Sequence, residues 1–326
     1  MSHYKTNLRD IEFNLFEYLG VGEHYGTAPY DAFDEDTARD ALREVDRLAR
    51  EDFSASFVDA DRQGLKLEGG EVKLPPSVHD SLDAMFDGGW HLLGIEQDLG
   101  GFGAPDTLRW ATTELFVGAD PSTFLYASGG LMARVIAAVG TEEQKQTWAR
   151  WIVDNRWGAT MVLTEPDAGS DVGNGTSRAI HVEGSTYHLE GVKRFITSGE
   201  NDYYENIVHL VLARREGGEP GTKGLSMFIV PKYLVNEDGS LGESEPAYHL
   251  AFRERADERL DHVRVIRGKR FAYHRNYMPY APAGQHLAYL RKAPAAPAWE
   301  KYHREGKPNA VTGRLFRPRV SEEFYD

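Results

Sequence analysis

Met161-Val-Leu-Thr-Glu-Pro-Asp-Ala-Gly-Ser-Asp171 is an apolar run that stops at Leu163 and turns polar. A threonine, an acid, a proline, a glycine and a serine follow within seven positions. Such a pattern reads as a buried strand that leaves a sheet into a tight polar loop. Pro166 removes a backbone donor, and Gly169 lets the backbone approach a neighbour closely or take φ > 0. Thr164 and Ser170 bring hydroxyls and backbone N–H groups to one small region. Two readings stand side by side at this level. The loop holds a ligand, or its Asp and Ser only satisfy local backbone groups.

Upstream of this stretch the pattern is helical. Leu8, Ile11, Leu15, Phe16 and Leu19 recur at helical spacing and Gly20 ends the run. The spacing predicts one long amphipathic segment over 34–62, with Ala38, Leu42, Val45, Leu48 and Ala49 on one face. Pro75 and Pro76 suit the first turn of another helix. The segment 93–105 is too rich in glycine to be helical and reads as a loop. Helices are expected over 105–117, 122–139 and 142–152, the last opened by a capping box of Thr141 and Gln144. Downstream of Trp157 the apolar segments become short and turn-bounded: 158–164, 176–182, 186–189, 193–197, 206–213 and 224–230. This predicts a β-domain of about 80 residues behind an all-helical one. After Gly242 the text changes again. Basic and apolar positions alternate over 257–277 in the manner of a hairpin, and six prolines from Pro279 to Pro318 break any long helix.

Composition narrows the possibilities. In 326 residues there is room for two or three domains, and 41% apolar residues suffice for a core. Cysteine is absent, which excludes disulfides and thiolate chemistry and suits a cytoplasmic protein. No apolar run reads as a membrane span, so no membrane insertion is expected. A net charge of −14 argues against nucleic acid as a partner. Residues 247–326 nevertheless hold 16 Lys+Arg against 9 Asp+Glu, leaving 21 against 42 in the other 246 residues. A shift this sharp marks a candidate boundary.

Several runs, in order and at matching spacings, resemble the acyl-CoA dehydrogenases over residues 1–242. They are Tyr4 to Phe16, Gly94 to Pro105, Leu163 to Asp171, Gly191-Val-Lys-Arg-Phe-Ile-Thr-Ser198 and Gly221 to Lys232. The branch with a long N-terminal extension, which includes the 3-methylthiopropanoyl-CoA dehydrogenases and related actinobacterial long-chain enzymes, is the nearest. The resemblance implies an α+β chain with an N-terminal helical domain at 1–156 and a middle β-sheet or barrel domain at 157–242. It implies FAD as cofactor and acyl-CoA as substrate, with the opening strand and loop lying along the flavin. Carried over, Met161, Leu163, Thr164, Gly169, Ser170, Phe195, Ile196 and Thr197 would bind the cofactor, with Thr164 and Thr197 donating to the flavin. Ser170 would also meet the thioester end of the acyl-CoA. Phe195, Ile196 and Thr197 would form a second strand, with Phe195 where most members have tryptophan. Glu165 sits in the motif, but its family counterpart turns away from the substrate. Trp90, Leu99, Phe102 and Leu131 are candidates for an acyl channel or for plain core.

The family's proton-abstracting glutamate lies in a third, helical domain, and no four-helix pattern follows Gly242. Catalytic residues are therefore expected to be missing, turnover low, and any homo-oligomer weakened. Residues 243–326 resemble the C-terminal subdomain of type I sulfatases instead, in Arg255 to Asp261, Val263 to Pro279, Gly284 to Leu290 and Phe324 to Asp326. The sulfatase metal and nucleophile motifs are not found, so Asp257, Glu258, His262, His274 and His286 have no site to serve. An impaired flavoprotein is the first reading. A non-enzymatic fusion or truncation product that binds or aggregates is the second, and sulfatase-like hydrolysis a remote third.

Overall fold

The computed structural model describes residues 3–69, 71–236 and 239–242, four strands beyond them, and residues 298, 301, 302 and 304–307. The chain forms two compact units, 1–242 and 243–326.

In the first unit a helical layer comes first. Helix α1 (Leu8–Glu12) runs on as a π-helical turn over Phe13–Tyr18 and ends before Gly20, which is left-handed at φ 62°. Helix α2 (Glu35–Glu51) is N-capped by Asp34, whose carboxylate accepts from Thr37 N. Its apolar face is the one the spacing predicts, and Ala38, Leu42, Val45, Leu48 and Ala49 are all buried. The expected single segment breaks after Glu51, however. A 3-10 turn at Phe53–Ala55 redirects the chain into α3 (Ser56–Gln63). The break follows from burial. Phe53 turns fully into the core, and the Ser56 hydroxyl donates to the buried Asp120 carboxylate at 2.6 Å. A short hairpin, β1 (Lys66–Glu68) with β2 (Glu71–Lys73), was not anticipated.

Helix α4 (Pro76–Asp87) has Pro76 in its first turn. The glycine-rich loop follows, then α5 (Asp106–Ala119), α6 (Pro121–Tyr126) and α7 (Gly129–Val139). The expected helix over 122–139 is thus two. The 19 residues Pro121–Val139 have the length and mean hydropathy, 1.3, of a membrane span, which the sequence reading missed. Here the stretch is interrupted near Ala127–Ser128, and Met132, Ala133 and Ile136 enter the core against the sheet. Helix α8 (Glu142–Gln144) opens with both bonds of the predicted capping box, and a π turn leads to α9 (Arg150–Asp154).

The β part contains β3 (Gly158–Val162), β4 (Arg178–Glu183), β5 (Thr186–Glu190), β6 (Ile207–Arg215) and β7 (Leu225–Pro231). The order is β3-β6-β4-β5, with β7 on the other side of β6. Strand β6 is central, parallel to β3 and β4 and antiparallel to β7. A core cluster joins α7, α9, β3 and β6 through Ile136, Ile152, Ala159, Val208 and Leu210. The helical layer therefore covers one face of this sheet.

In the second unit, β8 (His249–Ala256), β9 (Arg259–Arg267), β10 (Ala272–Asn276) and β11 (Glu322–Tyr325) form an antiparallel sheet. The hairpin expected over 257–277 is the β9–β10 pair, closing with Arg267 opposite Ala272. His262 and His274 fall on β9 and β10, whereas Asp257, Glu258, His286 and the prolines at 279–297 and 308–318 lie outside the described residues.

Candidate functional site

Strand β3 delivers the chain to the site. Ala159, Thr160 and Val162 are buried, and the strand ends where Leu163 and Thr164 emerge half-buried. A tight turn follows, closed by reciprocal bonds between Glu165 and Ala168 at 2.9 and 3.3 Å. Gly169 and Ser170 come out of it exposed. A Cβ at Gly169 would meet no protein atom within 4 Å, so the room glycine leaves there opens outward.

Glu165 does not open outward. It is only 5% exposed. Its carboxylate accepts from Thr176 N at 2.6 Å, Thr176 Oγ1 at 2.9 Å, Ser177 N at 3.1 Å and Lys193 Nζ at 2.8 Å. Burial pushes this carboxyl up, but the donors from Lys193, Ser177 and Thr176 outweigh it and hold the pKa at about 2. Every favourable lone-pair direction faces protein, so Glu165 is no general base.

The second segment arrives beside the first. Gly191 passes so close to Ser177 that a Cβ would sit 2.1 Å from its Oγ, so glycine is required there. Lys193 Nζ donates to Leu163 O at 3.0 Å, and Arg194 N donates to Thr164 O at 2.9 Å. The expected second strand over Phe195, Ile196 and Thr197 does not form. Phe195 and Ser198 are left-handed, at φ 57° and 59°, and the pleat cannot pass through such residues. Phe195 instead stands out into solvent at 86% exposure, with the Arg194 guanidinium 5.6 Å from its ring centroid. Beyond it the Ser198 hydroxyl donates to Leu125 O at 3.2 Å, Asn201 Nδ2 to Ser198 O at 3.3 Å, and the Tyr204 hydroxyl to Tyr126 O at 2.6 Å. Ser128 Oγ donates to Ala159 O at 2.6 Å. The bonds to Leu125 and Tyr126 and from Ser128 tie the edge to the helical layer.

The eight residues singled out from the sequence thus fall on two adjacent segments, with Met161 at the base packed against the core and Ile196 half-buried. The hydroxyls of Thr164, Ser170 and Thr197 make no protein hydrogen bond among the described residues. Lys193, Ser198 and Asn201 were missed. The signal for Lys193 was available, since an acid in an apolar-flanked motif needs a cation close by. The channel candidates scatter. Leu99 is fully buried core, Trp90 is half-buried, and Phe102 and Leu131 are 47% and 48% exposed. Trp90 and Phe102 line a groove of about 610 Å³ beside α2. Trp90 and Leu131 line a smaller hollow of about 80 Å³ with His91, Arg109 and Arg134, and Leu99 lines neither.

Comparison with known proteins places residues 35–156 and 160–246. Residues 35–156 match the family described as acyl-CoA dehydrogenase, N-terminal domain, and residues 160–246 match acyl-CoA dehydrogenase, middle domain. The chain is 49% identical over 247 residues to the broad-specificity linear acyl-CoA dehydrogenase FadE5 of Mycobacterium tuberculosis, covering 74% of this chain and 40% of that one. It is 36% identical over 243 residues to the 3-methylmercaptopropionyl-CoA dehydrogenase of Ruegeria pomeroyi, covering 74% and 41%. The chain therefore spans about two fifths of the length of these relatives. Among solved structures, a chain from the electron transferring flavoprotein of Acidaminococcus fermentans shares the fold, with a TM-score of 0.50 at 22% identity over 69% of this chain and 52% of that one.

Proposed function

Because the chain belongs, over residues 35–246, to the acyl-CoA dehydrogenase family, we propose that it binds FAD along Met161–Ser170 and Phe195–Thr197 and serves the α,β-dehydrogenation of an acyl-CoA thioester. One observation carries the reading. Arg194 N donates to Thr164 O at 2.9 Å, which sets the turn that carries Thr164 beside the segment that carries Phe195, an exposed aromatic ring on a left-handed backbone.

These features suit a flat, amphipathic cofactor. Thr164 and Thr197 are the donors for its polar edge, Phe195 is the wall beside it, and Gly169 leaves the backbone open at its phosphate end. When bound, FAD accepts the substrate hydride. Donors fixed at the flavin edge stabilise the negative charge that arrives with it. Ser170 is assigned to the thioester side of the acyl-CoA. Glu165 is not assigned as the proton-abstracting carboxylate, since it is turned inward and its lone pairs are filled. The expected behaviour of this chain is flavin uptake without rapid bleaching by acyl-CoA. An absorbance spectrum of the purified protein, followed by anaerobic addition of a short- and a long-chain acyl-CoA, tests both halves. Protein without flavin absorbance and without a thermal shift on added FAD would refute the cofactor assignment.

A second reading has its own support. Strand β7 is half-exposed at every position, including Met227, Phe228, Ile229 and Val230. An apolar strand of this kind favours self-association or partner binding. Light scattering that finds a monomer at all concentrations would dismiss it. No metal-binding cluster lies among the described residues, and an aryl-sulfate assay with calcium is expected to stay silent.

A further inference from the structure

We propose that Glu165 and Lys193 are positioning residues of the cofactor edge: a buried ion pair that clamps the turn carrying Thr164 to the segment carrying Phe195. The proposal rests on the FAD reading and adds to it the device that shapes the edge.

Three parts of the chain meet at this pair. Lys193 Nζ donates to Leu163 O at 3.0 Å and to Glu165 Oε1 at 2.8 Å, so it grips the residues on both sides of Thr164. Arg194 N bonds the carbonyl of Thr164 itself at 2.9 Å. Glu165 in turn accepts from the backbone of Thr176 and Ser177, which lead directly into β4. The side chains of Glu165 and Lys193 are 3% and 14% exposed, so water does not screen the pair.

What the clamp holds is strained. Two residues after Lys193, Phe195 takes a left-handed backbone that a bulky residue keeps only when its surroundings impose it. Its ring gains no packing in return, being 86% exposed. Lys193 and Arg194 fix the segment upstream. The Ser198–Leu125 and Asn201–Ser198 bonds fix it downstream, where Ser198 is left-handed too. An unstrained loop would satisfy the same backbone groups without exposing an aromatic ring. The geometry is accounted for if the ring has to be presented to a ligand.

The test compares the full chain with Glu165→Gln, Lys193→Met and the double variant. Lys193→Gln stands in should Glu165→Gln fail to fold. Leu108→Ala, a fully buried core position of α5, serves as a destabilised control. FAD dissociation constants, the visible spectrum of the bound flavin and the thermal midpoint are measured for each. Each clamp variant is expected to bind FAD at least tenfold more weakly and with a shifted flavin band. The double variant should fall close to either single one, because the two residues act as a unit. Leu108→Ala should lose thermal stability while keeping the wild-type dissociation constant within about twofold and the wild-type spectrum. Clamp variants with wild-type affinity and spectrum overturn the proposal and leave the FAD reading intact. A wild-type chain that takes up no FAD overturns both, and that result is distinct from intact binding in the variants.

Discussion

Phe195 and Glu165 sit thirty positions apart in the sequence, yet Lys193, which bonds Glu165 at 2.8 Å, is only two residues from Phe195. A left-handed backbone costs a non-glycine residue about 1–2 kcal/mol, and asparagine tolerates it better than phenylalanine does. Phe195→Asn should therefore leave the thermal midpoint unchanged or raise it by a few degrees, while weakening FAD binding about tenfold. A variant equally weakened in stability and in binding would show that the ring only packs. Glu165 sets a pH dependence of its own. Its folded pKa, about 2, lies below the ordinary 4.5, so its contribution is fully present above pH 4.5 and disappears as pH falls from there towards 2. Acid unfolding of Glu165→Gln, followed by circular dichroism, should lack that part of the slope. His91 acts in a higher window. Burial, and then the charge of Arg156, pushes its imidazole down to about 4, so the neutral ring stabilises the fold above pH 6.5 and this is lost as pH falls from 6.5 towards 4. His91→Leu should flatten the stability curve there, and an unchanged curve would place the titration elsewhere. The motif residues were legible at this scale because their types are unusual together. The left-handed turn at Phe195 was not, because nothing in Arg194-Phe-Ile-Thr197 asks for positive φ. Tertiary bonds impose it.

Among the elements, α2 shows how far periodicity reaches. Its five apolar positions form one face and all five are buried. Leu42→Ala, at a position with no exposure, is expected to cost about 2–5 kcal/mol in urea unfolding, since the surrounding core closes the cavity only in part. A cost below about 1 kcal/mol would mean that this face is not packed as core. Where helices end was less legible. The break after Glu51 carries no proline or glycine, the break at Ala127–Ser128 is followed by Gly129-Gly130, and both are held by distant partners. Asp120 receives Ser56, and Ala159 receives Ser128. Tyr204 belongs to the same class of tie. Its hydroxyl bonds Tyr126 O across the helical layer and the β part, and Tyr204→Phe should lower stability by about 0.5–1.5 kcal/mol without touching any strand. The absent strand at 193–197 has the same origin as these breaks. Phe195 and Ile196 beside Thr197 suit a strand, but the bonds made by Lys193 and Ser198 bend the segment.

For the whole first unit, FAD should act as a stabilising ligand. At a hundred times its dissociation constant it would contribute about 2.7 kcal/mol, visible as a thermal shift of several degrees. A flat thermal profile over that range would refute cofactor binding at this scale. The order of helical layer then sheet could be read from the chain, because a change from a 3.6-residue to a 2-residue hydrophobic period survives without any coordinates. The strand that ends at Leu163, the apolar face of α2 and the capping box at Thr141 were legible for the same reason, since each is a local pattern with a local cause. Tertiary structure alone settled the rest: Glu165 turned inward onto Lys193, Phe195 turned outward, Leu99 taken into the core, and two expected helices each divided. The inward turn of Glu165 and the two helix breaks depend on partners 28, 31 and 64 positions away. Side-chain burial and long-range hydrogen bonding choose between conformations that a local pattern leaves equal in energy.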